Sequence, residues 1–306
     1  MLGKDGVSMF SGAVLAIGII SVSTASIFTR YAQVEAASLV IAAYRLVIAS
    51  LVLAPIACRR YGAELRSLQP VEWLLAVTSG VFLAIHFATW VSSLEYTSVA
   101  SSVVLVTTSP LWVALAAWLL LHERLTRRVI FGLIVAFCGV IVIGLTDTMQ
   151  EAGSAPSLGN LLALTGAFMV AGYWLIGRRL RAKIPLIPYV AVVYSTAAII
   201  LLVATGVARQ PLTGYEPVIY LWFLLLGLVP QLIGHSSFNW ALARLPATFV
   251  SVATLGEPIG STVLAYFFLS ETPSFLKVLG STLVLTGILF TLLSQVKVEA
   301  VLVRIR

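Results

Sequence analysis

The apolar stretches of this chain contain very few groups that hold charge or exchange a proton, and four invite chemistry: Arg45, His86, His235 and Glu257. A charge at the centre of a membrane-spanning helix costs at least about 2.5–3.5 kcal/mol, so such groups pair with protein or line a wet cavity. Glu257 stands next to Pro258. Its carboxylate is suited to contact an ammonium group or carry a proton. The alternative is a structural acceptor for a hydroxyl or for a backbone N–H left free near the proline. Arg45 lies too deep for its stem to reach the interface easily. It either attracts a substrate carboxylate or braces helices as a buried ion pair or carbonyl-bonded group.

His86 and Trp90 are four residues apart and share a helix face, as do His235 and Asn239. Such faces present donors to a cavity, or close on each other as interhelical hydrogen bonds. Imidazole titrates near physiological pH and would let either histidine respond to protons. Tyr173 and Trp174 add aromatic surface at depth, with Tyr44, Trp112 and Tyr194. An aromatic wall suits apolar, aromatic or cationic molecules, while ordinary packing is the other role open to each ring. The candidate binding residues are therefore His86, Trp90, Tyr173, Trp174, His235, Asn239 and Glu257. His122, beside Glu123 and Arg124, reads as a solvated cluster at a span end. Cys58 and Cys138 have no pairing or metal spacing, and neither a metal nor a cofactor is expected.

Composition says what must position these groups. Of 306 residues, 60% are hydrophobic and 10% charged, against about 25% charged in soluble domains. Mean hydropathy is +1.04. The chain reads as an all-α integral membrane protein. A span needs about 20 mostly apolar residues, and ten are expected at 8–29, 37–58, 71–93, 98–121, 129–146, 158–177, 186–207, 217–243, 246–269 and 275–295. The polar stretch 147–157, "DTMQEAGSAPS", reads as a linker between a first unit (1–146) and a second (158–306). The first span is expected to be retained rather than cleaved as a signal peptide.

The net charge of +7 comes from basic residues at span ends, not from a stripe, so they read as topology signals rather than a nucleic-acid surface. Alternating span ends place 15 of the Lys and Arg residues on one side and three (Arg30, Arg209 and Lys277) on the other. Both termini are thus expected to be cytoplasmic, in a multi-pass protein of the cytoplasmic (inner) membrane.

A repeat reinforces this division. At an offset of 148 residues Pro110 matches Pro258, Glu123 matches Glu271, Gly132 matches Gly280 and Gly139 matches Gly287; at 149, His86 matches His235. Five spans per unit is odd, so the units cross the membrane in opposite directions around a central cavity. Inverted repeats are a common route to two alternating gates. Gly256 and Gly260 have the spacing of close helix contact. Pro110 and Pro258 sit mid-span and are expected to loosen spans 4 and 9 as paired pivots. The polar run "SVSTAS" (21–26) has a similar looseness in span 1.

Three segments resemble the drug/metabolite transporter superfamily, in particular its EamA-type members: "AAYRLVIASLVLAP" (42–55), residues 94–143, and residues 242–290. Each unit shows a small-residue step into span 4 or 9, a mid-span Pro, an end-of-span Glu and glycines in span 5 or 10. The chain also looks like the YddG-type amino acid exporters. The resemblance implies ten helices, a cavity between two inverted halves and export of small metabolites. The family commonly has the Arg of span 2 and the Glu-Pro of span 9 across differing substrates, which implies a structural or gating role for Arg45, Glu257 and Pro258. Pro110, Gly256 and Gly260 belong with that group.

The expected function is a non-enzymatic secondary transporter for small amphipathic molecules, amino acids first. A channel-like facilitator, or an exporter of organic cations, is the alternative. No G-x-x-x-x-G-K-[ST] loop occurs, so ATP drive within the chain is not supported. The expected partners are a small-molecule substrate and the bilayer, and a monomer is feasible.

Overall fold

A computed structural model describes residues 4–121, 127–149, 153–244 and 254–305. Among these residues the chain is helical throughout, without strands. The elements are α1 (Lys4–Ser23), α2 (Ala25–Ala32), α3 (Ser38–Arg60), the short α4 (Gly62–Ser67), α5 (Pro70–Tyr96), α6 (Val99–Val106), α7 (Ser109–Leu121) and α8 (Arg127–Met149). After residue 152 come α9 (Pro156–Arg181), α10 (Leu186–Val207), α11 (Pro217–Leu226), a π-helical segment (Gly227–His235), α12 (Ser236–Leu242), α13 (Gly256–Leu269) and α14 (Phe275–Ile305). Among the described residues six stretches are long and apolar enough to cross a membrane: Gly12–Ala32, Ser38–Arg60, Pro70–Tyr96, Pro156–Arg181, Leu186–Val207 and Pro217–Leu242.

Helix starts follow local chemistry. Pro70, Pro156 and Pro217 occupy first-turn positions, where a missing N–H costs nothing. Glu72 closes back on the Gln69 N–H at 3.0 Å. The breaks are equally local. Pro110 has no N–H to give, and its ring would strike the carbonyl of Val106 in a continuous helix. The helix instead ends at Val106 and restarts at Ser109, so span 4 is two pieces rather than one kinked rod. Hydroxyls reinforce the break: Thr107 donates to the carbonyls of Val103 and Val104 at 3.0 and 2.9 Å, and Thr108 to that of Leu105 at 2.7 Å, while Val103 and Leu105 also accept backbone N–H groups. Pro258 is in the first turn of α13, and the start of the span expected at 246–269 lies outside the described residues. Within "SVSTAS" the break falls at Thr24, whose hydroxyl donates to Ser21 at 2.7 Å.

Packing joins elements before residue 150 to elements after it. α14 lies along α8, α9 along α5, α10 along α3, and the π segment along α1, while α13 meets α6. The α8–α14 contact is backbone-close because of glycine. A Cβ on Gly139 would stand 2.6 Å from the Gly280 carbonyl, and one on Gly287 would stand 2.5 Å from the Gly132 carbonyl. Gly256 and Gly260 give α13 the same closeness to α1, against Ile19 and Ser23.

These contacts generate a stability test. Gly139→Ala and Gly287→Ala force a Cβ into backbone, and overpacking of this kind costs about 1–3 kcal/mol. Gly206 has nothing within 4 Å of its Cβ position. We expect both contact variants to melt below the unaltered protein in detergent, and Gly206→Ala not to.

Candidate functional site

Where α1, α2, α3, α5, α6, α7, α9, the π segment, α12 and α13 converge they leave a cavity of about 50 Å³. Arg45, His86, Trp90, Trp174, His235 and Glu257 all line it, with Val22, Ala25, Val106, Val170 and Phe238 as its apolar wall. Six groups flagged in the sequence thus meet, although they come from residues 45 to 257.

Arg45 is 1% exposed and anchors the site. Its Nε donates to Gln231 Oε1 at 2.8 Å, and its guanidinium carbon sits 4.1 Å from the Phe87 ring centroid and 5.7 Å from that of Trp90. Gln231 reaches it because the backbone is locally special. Pro230 cannot donate to the carbonyl four residues back, and the helix widens into the π segment. Gly227 lets that segment close on α3: a Cβ there would strike Ile48 and come within 3.3 Å of the Arg45 carbonyl.

The imidazoles form the centre of an aromatic row. His86 is parallel to Trp90 (6.2 Å, 4°) and His235 is parallel to Trp174 (6.3 Å, 4°), while the two imidazoles are 6.5 Å apart. His86 Nδ1 lies 2.9 Å from the Gly166 carbonyl. A carbonyl only accepts, so Nδ1 carries the proton. His235 Nδ1 has no hydrogen-bond partner among the described residues.

Not every candidate lines the cavity. Asn239 donates to the Tyr173 hydroxyl at 2.5 Å and to the His235 carbonyl at 2.8 Å, and both side chains are fully buried between helices. They serve as the interhelical hydrogen bond that was the other role open to that face. Trp112 stands apart, edge-on to Phe168 at 5.5 Å, in an apolar groove with Leu111, Phe137 and Leu164. Pro110 lies one residue beyond Ser109, a lining residue, and Pro258 directly follows Glu257.

A second polar cluster closes one end of the molecule. Arg30 Nη2 is 3.0 Å from Glu271 Oε1, and Glu271 Oε2 accepts from the Val99 N–H at 2.9 Å. Lys277 Nζ donates to Ser98 Oγ at 3.0 Å, and the Tyr31 hydroxyl donates to the Phe268 carbonyl at 2.9 Å. The cluster ties α2, α6, α13 and α14. Sequence reading marked Glu271 only as half of a repeat and Arg30 only as a rare basic residue. It did not mark Gln231, although Gln231 and His235 are four apart like the pairs it did mark.

This arrangement can be set beside known proteins. The EamA-like transporter family matches residues 10–145 and 157–293. The chain belongs to that family. It is a multi-pass membrane protein of a transporter, non-enzymatic class. Among its relatives, an uncharacterized transporter of Archaeoglobus fulgidus is 25% identical over 228 residues, 73% of this chain and 78% of the relative. Another from the same organism is 21% identical over 285 residues, covering 92% and 95%. The uncharacterized transporter sll1164 of Synechocystis is 24% identical over 249 residues, covering 76% and 69%. One crystal structure superposes with a TM-score of 0.67 at 19% identity, over 92% of this chain and 96% of the other, a likeness of fold alone.

Gln231→Leu would leave the buried Arg45 Nε without its acceptor. We expect the purified variant to lose stability equivalent to about 1–3 kcal/mol, the cost of an orphaned buried partner. Gln231→Glu keeps an acceptor and is expected to melt near the unaltered protein. Equal melting of Gln231→Leu would mean that this bond does not hold the helices together.

Proposed function

We propose that this family member is a ten-helix secondary transporter that exports small amphipathic metabolites, foremost amino acids, by alternating access across the cytoplasmic membrane. Its two units, 1–146 and 158–306, are inverted repeats joined by 147–157. The observation that carries the reading is the cavity into which the first unit brings Arg45 and the second brings Glu257. A site with one positive and one negative group suits a molecule bearing both charges, and suits an organic cation less well.

Exchange symmetry supports the repeat. Shifting by 148 residues turns the Gly139–Gly280 contact into Gly287–Gly132, which is also present. Exchanging the units likewise turns the α5–α9 pairing into the pairing of the π segment and α12 with α1, and both occur. Orientation has similar support. The end closed by Arg30, Glu271 and Lys277 is poor in basic residues. The end where Lys183 meets Glu72, 3.6 Å apart, also carries Arg59, Arg60, Arg66, Arg178, Arg179 and Arg181. The basic end is the cytoplasmic one, with both termini. One chain suffices for the cycle, since the units bury their faces against each other.

Motion is required by size. A cavity of about 50 Å³ has room for a few waters but not for an amino acid. Substrate enters only when helices part, which favours alternating gates over a standing channel. The Arg30–Glu271–Val99 cluster is then the closed outer gate.

Purified protein in liposomes, tested with amino acids, nucleosides and organic cations with and without a proton gradient, examines substrate and coupling together. We expect amino acid flux; flux of none of them would refute the substrate class. For the gate, a short dithiol cross-link between Arg30→Cys and Glu271→Cys, in a Cys58→Ser/Cys138→Ser background, should arrest flux, and reduction should restore it. Undiminished flux through the cross-linked protein would remove this cluster from the gate.

A further inference from the structure

We infer that the cavity reads its substrate as a zwitterion in one fixed polarity, with the carboxylate against Arg45, Trp90 and His235 and the ammonium group against Glu257. This rests on the amino acid reading above and specifies it atom by atom.

Three residues of the cavity wall keep polar atoms without partners among the described residues. Arg45, Trp90 and His235 are 1%, 3% and 9% exposed. Each holds a side-chain nitrogen with no hydrogen-bond partner among the described residues: Nη1, Nε1 and Nδ1. Buried polar groups are almost always satisfied, so three orphans on one cavity call for an explanation. Guanidinium and indole nitrogens only donate, and imidazole donates when its proton sits there. Their common complement is an oxygen rich in lone pairs. Since Arg45 is cationic, the best complement is a carboxylate, which matches the planar guanidinium edge.

The rest of the site fixes the direction. Arg45 is held by Gln231 through Nε and by the Phe87 face, so its guanidinium is fixed rather than free to swing. His86 is excluded from the donor set at Nδ1, which the Gly166 carbonyl occupies. Glu257 comes from a different helix, α13, and makes no ion pair within 4 Å among the described residues. An ionised carboxylate only accepts, so it selects a donor-rich cation. A ligand with both charges leaves the site balanced. One with a single charge leaves Arg45 or Glu257 unmatched in a low-dielectric interior. Val106, Val170 and Phe238 are left to take the side chain.

Competition against radiolabelled phenylalanine, with full-length protein in liposomes, tests this. The competitors are phenylalanine, 3-phenylpropionate (no ammonium) and phenethylamine (no carboxylate). The unaltered protein should prefer phenylalanine over either analogue by about tenfold or more, the effect of one charge-assisted contact. Arg45→Gln should lose preference for phenylalanine and 3-phenylpropionate while keeping phenethylamine. Glu257→Gln should do the reverse with the two analogues. Trp90→Phe removes the indole N–H together with one of its two fused rings, and leaves Arg45 and Gln231 in place. It should weaken phenylalanine and 3-phenylpropionate but not phenethylamine, and it decides the matter if Arg45→Gln fails to fold. Parallel loss of all three competitors would mark these residues as structural and overturn the inference, while leaving amino acid transport intact. Absence of phenylalanine and other amino acid flux in the unaltered protein would instead overturn the parent reading, and this one with it.

Discussion

A guanidinium buried in a membrane needs partners from the protein, and the 2.8 Å bond from Arg45 Nε to Gln231 supplies one of them from 186 residues away. Much of the centre is arranged around that requirement. Pro230 removes a donor and the helix opens into a π segment. Gly227 lets the segment approach α3 closely enough for Gln231 to reach the charge. Phe87 and Trp90 cover the guanidinium with ring faces, which attract a desolvated cation. The same π segment ends at His235 and so places the second imidazole 6.5 Å from the first. One charge thus fixes a helix irregularity, a glycine contact and an aromatic row.

The molecule separates close-packed parts from loosened ones. α8 and α14 press backbone to backbone through glycine, a contact with little room to slide. Around the cavity the helices are interrupted instead. The break at Thr24 has the lining residues Val22 and Ala25 on either side, and the break at 107–108 has Val106, Thr107 and Ser109. Discontinuous helices at membrane depth are tolerated only where they line a cavity or are covered by protein. Hydroxyls of Thr24, Thr107 and Thr108 add hydrogen bonds to carbonyls beside each break.

Much of this was legible beforehand, and the exceptions share a cause. Expected span limits such as 186–207 and 217–243 fall within a residue of helical stretches, because hydropathy acts locally. His86, Trp90, Trp174, His235 and Glu257 were marked as candidate contacts and meet at one cavity with Arg45. Tyr173 was marked as an aromatic at depth and Asn239 by its spacing from His235, and the two bond to each other. Neither depth nor spacing along one helix says which neighbour a face meets. Gln231 and Glu271 were passed over as contacts because their partners, Arg45 and Arg30, lie 186 and 241 residues away.

The sequence by itself determined that this is a membrane protein of helical spans, and that its two parts share a spacing of proline, glycine and glutamate. Those properties are local: apolar length, charge at span ends, and backbone chemistry at proline and glycine. Only the tertiary structure decided that Arg45 is held by Gln231, that Glu271 binds both Arg30 and the Val99 N–H, and which buried nitrogens of the lining residues stay unpaired among the described residues. Each of those depends on how far a helix is rotated and where it breaks. In a span apolar on nearly all sides, rotation is set by the packing of neighbours rather than by the hydrophobic pattern.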